Sequence, residues 1–212
     1  MSSELIEIFV FAGIAGFLIF KLYTVLGQKT GFERPKESSS FQSEPVEKQT
    51  QSSFAEDPER LLNASLKKLV KSIKRKDNRF NLHEFLKGAT QAFEMILEAF
   101  AKGDMLTLKK LLGAELCGEF QATVEERKSH EETLETILVK IESVRLVEGH
   151  MQENTARLTV EFQTEQTHVV RNKAGEIIEG SPKQIEQLVD LWTFERNLTH
   201  SNPNWVLIKT AT

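Results

Sequence analysis

The sequence predicts an α+β domain: N-terminal helices packed on a curved antiparallel sheet, preceded by one transmembrane helix and a disordered linker. Three observations predict it. Phe85 to Asp104 (FLKGATQAFEMILEAFAKGD) repeats apolar residues at helical spacing, with Phe85, Ala89, Phe93, Ile96 and Phe100 on one stripe and Leu86 and Leu97 broadening it. From Ile137 onward, apolar and polar residues alternate in short runs separated by turn signals. Helices first and antiparallel strands after them is the α+β order. Leu5 to Leu26 (LIEIFVFAGIAGFLIFKLYTVL) is interrupted only by Glu7 and Lys21, and Ile8 to Phe20 carries no charge. The predicted organisation is an anchor over residues 1–29, a linker over 30–58, a basic amphipathic helix over 59–79 and a globular domain over 80–212.

A helix over Leu5 to Leu26 would be about 33 Å long, enough for a hydrocarbon core of roughly 30 Å. Leu5, Ile8, Phe9, Phe11, Phe17, Phe20 and Leu26 would carry the span, with Lys21 and Tyr23 at headgroup level. A cleaved signal peptide wants a basic start and a small-residue cleavage site, and a transit peptide wants arginine and few acids. Glu4 and Glu7 at the start, and KLYTVLG after the apolar run, fit neither. Lys21, Lys29, Arg34 and Lys36 on the far side put the rest of the chain on the cytoplasmic side by the positive-inside rule. Residues 30–58 hold Pro35, Pro45, Pro58 and the Ser38-Ser39-Ser40 run among Gln and Glu, too little apolar surface to offset ordering entropy.

The chain of 212 residues has a net charge of −4, which excludes a strongly basic DNA-binding protein. The total hides an asymmetry. Asp57 to Arg79 holds eight Lys/Arg and three Asp/Glu, a net of +5, which leaves −9 for the remainder. Asp57 as cap and Pro58 in the first turn predict a helix start there. Leu62, Leu66, Leu69, Val70 and Ile73 form its apolar stripe. Lys67, Lys68, Lys71, Lys74 and Arg75 lie largely on the other faces, suited to anionic lipid headgroups or ribosomal RNA phosphate, or to plain solvation.

Asn81, with Glu84 three residues on, caps the organising helix; Gly103 suits a left-handed C-terminal cap, and Asp104 caps a short helix, MLTLKKLL. A third helix is predicted over Ala114 to His130. Ile137, Val139 and Ile141 alternate, then the pattern slips to Val144 and Leu146, which predicts a bulge near Ser143. Ala156, Leu158, Val160 and Phe162 alternate with polar residues, Asn172 to Gly175 is a turn, and Ile177-Ile178 is a short strand. Leu188 to Glu195 and Trp205 to Ile208 form a hairpin across Asn202-Pro203-Asn204. A twisted sheet wrapped by helices gives a cone with an apolar hollow, lined by Phe93, Ile96, Phe100, Asp190, Trp192 and Phe194. The order resembles the nuclear-transport-factor-two-like (cystatin-like) fold.

Phe85-Leu86, Gly88-Ala89, Ala92-Phe93, Ile96, Ala99-Phe100, Gly103-Asp104, Leu108, Leu111 and Leu112 resemble the signature of the Tim44-like domain, the C-terminal domain of the mitochondrial inner-membrane import-motor subunit. Asp190 to Asn197 (DLWTFERN) and Pro203-Asn204-Trp205 resemble that domain's end, and Leu26 to Pro35 resembles bacterial members that follow a single membrane span. The resemblance covers roughly residues 1–35 and 60–210. It implies a bacterial membrane-anchored adaptor at the inner membrane, concerned with protein translocation or membrane-protein insertion, whose partners are anionic lipids, a translocation or insertion component, or the ribosome. The chaperone-docking region of the mitochondrial protein has no counterpart residues here.

His83, His130, His150, His168 and His200 show no metal-ligand spacing among themselves or with Cys117, the single cysteine, which suits a buried helix position. No phosphate loop, dinucleotide motif or nucleophile elbow occurs, and no cofactor is implied. The expectation is a non-catalytic adaptor. Two alternatives stay open: an enzyme of the same fold using Asp190 in the hollow, with a structural role for Asp190, for instance paired with Arg196, as the plainer reading; and a tether that docks ribosomes through the basic helix.

Overall fold

A computed structural model describes residues 58–200 and 202–212. Four helices come first: α1 (Ala64–Lys76), α2 (Leu82–Lys102), α3 (Met105–Leu111) and α4 (Ala114–Ser129). Five strands follow: β1 (Thr133–Gln152), β2 (Thr155–Arg171), β3 (Ile177–Gly180), β4 (Glu186–Asn197) and β5 (Val206–Ala211). The strand order is β1-β2-β4-β5, every strand pairing is antiparallel, and β3 takes up β2's edge where β4 leaves it: Gln166 pairs with Glu186, and Val169 with Gly180.

Local chemistry sets the helix ends. Asn81 accepts hydrogen bonds from the N–H groups of His83 and Glu84, starting α2. Gly103 takes φ 67°, a left-handed conformation that costs glycine nothing, and closes the helix. Asp104 then accepts from the N–H groups of Leu106 and Thr107. The start of α1 differs from the Asp57-Pro58 expectation. Asn63 is its cap, accepting from Leu66 N–H, and residues 58–61 form a turn before it.

The core lies between α2 and the sheet. Ala156, Leu158, Val160 and Phe162 of β2 are buried on the helix side, and Trp192 and Phe194 of β4 continue that face. Phe93 stacks on Phe162 with ring centroids 4.4 Å apart and meets Trp192 at 4.5 Å. Phe85 meets Phe194 edge-on at 6.0 Å. Offset bulges let the long β1 follow β2; one falls between Ile141 and Ser143, where the slip in alternation placed it. The packing of α1 on β1 rests on Gly149, where a Cβ would lie 2.4 Å from Leu69 Cδ2 and 2.9 Å from Leu158 Cδ2.

Two expectations are corrected. The sheet is open rather than curled into a cone: β1 and β5 are its two ends, and no pairing joins them among the described residues. The place of the hollow is occupied, since Phe93, Ile96, Trp192 and Phe194 are each at most 4% exposed and pack on one another or on neighbouring core side chains. Aromatic rings at this spacing fill the volume that alternation alone leaves undetermined. The membrane-anchored architecture is corrected as well. Among the described residues no helix is long and apolar enough to cross a membrane. The residues on which that expectation rested, Leu5, Ile8, Phe9, Phe11, Phe17, Phe20 and Leu26, lie outside the described residues, as do residues 30–57 of the expected linker. The single-pass inner-membrane placement, which depended on that span, is not retained.

Candidate functional site

The outer side of the basic helix is mainly cationic. Leu66, Val70 and Ile73 of α1 are buried in the common core, and no acidic residue occurs in the helix. At 100° per residue, Lys67, Lys68, Lys71, Lys74 and Arg75 fall within an arc of roughly 120°, opposite the buried stripe. Lys74 is paired with Glu59 at 2.5 Å. Lys76, outside the arc, donates to the carbonyl of Glu153 and to Asn154 Oδ1, the latter at 2.7 Å. The other four members of the arc, Lys67, Lys68, Lys71 and Arg75, are exposed, and their side chains form no hydrogen bond or ion pair with a described residue. Lys74, Arg75 and Lys76 also sit in the last turn, where the helix dipole favours cations.

At the end of α1, Asp77 is 7% exposed and accepts from Arg196 of β4 at 2.8 Å, a buried ion pair. Burial pushes the Asp77 carboxyl up. The Arg79 backbone N–H at 3.1 Å and the Arg196 guanidinium outweigh it and hold the group below the usual carboxylate range. The Asp190–Arg196 pairing is therefore corrected: Arg196 turns to Asp77. Sequence reasoning missed this contact because its partners are 119 residues apart. The one signal was parity, since Arg196 shares the inward register of Trp192 and Phe194.

Asp190 sits opposite Phe162, beside Trp192, on the inward face of β4. Burial pushes its carboxyl up to about 6. Of the residues expected in the hollow, Phe93, Ile96, Trp192 and Phe194 are brought together in the core. Phe100 is turned instead toward α4, with Phe120 at 5.0 Å and the Arg127 guanidinium 4.8 Å from its ring centroid. Among the described residues no group of three or more His, Cys, Asp or Glu is placed to hold a metal ion, and Cys117 is buried.

A groove of about 470 Å³ lies along one flank of α2, between the helix and the segment that leads into β5. Asn81, Glu84, Phe85, Gly88, Ala92 and Met95 form its helical wall. Trp205, whose ring is 4.8 Å from Phe85 and 6.0 Å from Phe80, forms the opposite side, and Arg196 lies in the lining. The groove was not read from the sequence. Of its lining, Phe194 was expected in the hollow, and Gly88 with its small neighbours Ala89 and Ala92 was the local trace in α2.

These elements define an α+β domain of N-terminal helices on an antiparallel sheet, with a cationic helix face and a separate groove. The chain belongs to the Tim44-like domain family, whose model matches residues 66–212. It is 26% identical over 139 residues to the human mitochondrial import inner membrane translocase subunit TIM44, a match covering 65% of this chain and 31% of that protein. It is 27% identical over 137 residues to the probable mitochondrial import inner membrane translocase subunit tin-44 of Caenorhabditis elegans, covering 63% and 32%. The match thus spans about a third of the length of these mitochondrial relatives. An uncharacterized protein of Rickettsia prowazekii is 27% identical over 98% of this chain and 97% of its own length.

Proposed function

We propose that this domain is a non-catalytic adaptor in protein translocation that docks on anionic lipid headgroups through the outer face of α1. The observation that carries the docking surface is the set Lys67, Lys68, Lys71 and Arg75: four exposed cations in one arc, with no side chain among them paired to a described residue. The setting is supported by family membership and by two relatives, the human import translocase subunit and the probable one of the nematode. The non-catalytic reading takes Asp190 as a structural residue, since it pairs across the sheet with Phe162 and shares the inward face of β4 with the buried Trp192. The apolar stripe of α1 is committed to the core, so the helix meets a headgroup layer by charge and does not insert. At about 1 kcal/mol per basic residue near an anionic surface, the four together supply on the order of 4 kcal/mol.

The test compares the full chain with a variant carrying Lys67→Glu, Lys68→Glu, Lys71→Glu and Arg75→Glu. What is read is the gain in sedimentation on going from phosphatidylcholine vesicles to vesicles that also contain phosphatidylglycerol. The reading expects that gain in the parent and its loss in the variant; an equal gain in both sinks the lipid role of α1. Pelleting with ribosomes that the substitutions abolish, together with no lipid gain in the parent, would instead assign the face to RNA phosphate.

A further inference from the structure

We infer that the groove along the flank of α2 is a docking site for an amphipathic helix of a partner protein, one that brings a carboxylate to the Arg196 end. The groove is separate from the cationic arc of α1, so the inference does not rest on lipid docking.

Three observations converge. The first is Gly88. Glycine inside a helix is less favourable than alanine. Yet a Cβ at Gly88 would meet nothing within 4 Å, so no contact within the fold requires the residue to be glycine. Its missing side chain, with Ala92 one turn on, lowers the wall of the groove and lets a second backbone approach α2 closely. The second is Arg196. It is 7% exposed and lines the groove, one of its nitrogens is taken by Asp77, and its Nε is enclosed and out of reach of the groove. The guanidinium therefore acts on a visitor through its charge, at the end of the groove where Arg79 shares the same Asp77. The third is the balance of the rim. Arg79, whose Nε also lies 3.6 Å from Asp77, and Lys110 are two exposed cations against Glu84, so the groove favours an acidic visitor.

A helix fits better than an extended peptide. Asn81 to Met95 runs along about 21 Å of α2, or roughly four turns. The groove wall is a helix surface and offers no strand edge, so an extended backbone would leave its own N–H and C=O groups unpaired, whereas a helix satisfies them internally. Phe85, Trp205 and the half-exposed Met95 supply the apolar contact for its inner face.

The experiment uses the full chain and tryptophan-free amphipathic peptides of four turns, identical on their apolar face, with Glu, Gln or Lys on the polar face. Trp205 lines the groove and Trp192 is buried, so occupancy reads out as a change in tryptophan emission. The Glu peptide is expected to bind saturably with a blue shift, and the Gln and Lys peptides about tenfold more weakly or less. Gly88→Leu fills the groove without disturbing packing; it is expected to keep the thermal midpoint and weaken the Glu peptide at least about tenfold. The α1 charge reversal is expected to leave peptide binding unchanged. No saturable binding of any peptide overturns the inference, as does equal affinity in the parent and Gly88→Leu. An emission change that needs lipid vesicles, or a concentration-dependent dimer in light scattering that Gly88→Leu abolishes, reassigns the groove to lipid or to a second copy and overturns it as well.

Discussion

Arg196 follows Trp192 and Phe194 on the inward side of β4, yet ends in a cation, and the fold is tolerable only because Asp77 meets it 2.8 Å away. A buried pair contributes little over an apolar substitute, but losing one partner strands the other charge. Asp77→Ala is therefore expected to lower the unfolding free energy by about 3–5 kcal/mol, read from urea denaturation near neutral pH. The pH dependence follows from the direction of the shift. A carboxyl held below its unfolded value contributes stability that is present above about pH 4 and is lost as pH falls through the folded value. The parent should lose stability over that acid range more steeply than Asp77→Asn. Asp190 has the opposite sign. Its folded value of about 6 lies above the unfolded one, so it costs stability as pH rises from about 4 to about 6 and the cost persists above that. Asp190→Asn should raise stability at pH 7 by on the order of 1–2 kcal/mol, less than the full shift because the group is partly exposed, and should change nothing below about pH 4. A loss of stability at pH 7 would mean that the carboxylate is held there by a favourable contact.

At the scale of elements, α1 is the informative case. Its charge was plain from Lys67, Lys68, Lys71, Lys74 and Arg75, because a run of cations between apolar residues at helical spacing needs no tertiary information. That its apolar stripe belongs to the core, through Leu69 over Gly149, depends on a contact between residues far apart in the chain. Gly149→Val should force α1 away from β1, lowering stability by about 1–3 kcal/mol as overpacking does. Adding Leu69→Ala to it should restore part of the loss; a double variant less stable than the sum of the singles would show that the crowding lies elsewhere. The same division runs through the fold. Asn81, Gly103 and Asp104 were legible because a cap is made within four residues. The alternation of Ala156 to Phe162 and the slip near Ser143 were legible because pleat periodicity is local. The sheet's openness, the filled interior and the turning of Phe100 toward Phe120 were not, since these depend on ring volumes and strand partners that no single segment encodes. Of the candidate surfaces, the cationic face was visible in composition. The groove was not, because Phe85 and Trp205 meet only after the chain has crossed the sheet.

Over the whole molecule, the separation of charge matters more than its sum. Residues 57–79 carry +5 and the remainder −9, within a total of −4. The cationic helix is about 20 Å long, and the distance over which charges are felt changes with salt on that same scale, from about 30 Å at 0.01 M to about 8 Å at 0.15 M. At the lowest ionic strength an anionic surface senses the whole negative chain along with the patch, and at physiological salt it senses mainly what touches it. Binding to phosphatidylglycerol vesicles should accordingly pass through a maximum at intermediate ionic strength, then fall as the patch itself is screened. Replacing Lys67, Lys68, Lys71 and Arg75 by Gln takes the total from −4 to −8, four cations fewer, and should remove the maximum altogether. Sedimentation with vesicles across a salt series reads both curves. A parent curve that only declines from the lowest salt would show that the acidic remainder is too far from the surface to be felt, and that the patch acts alone.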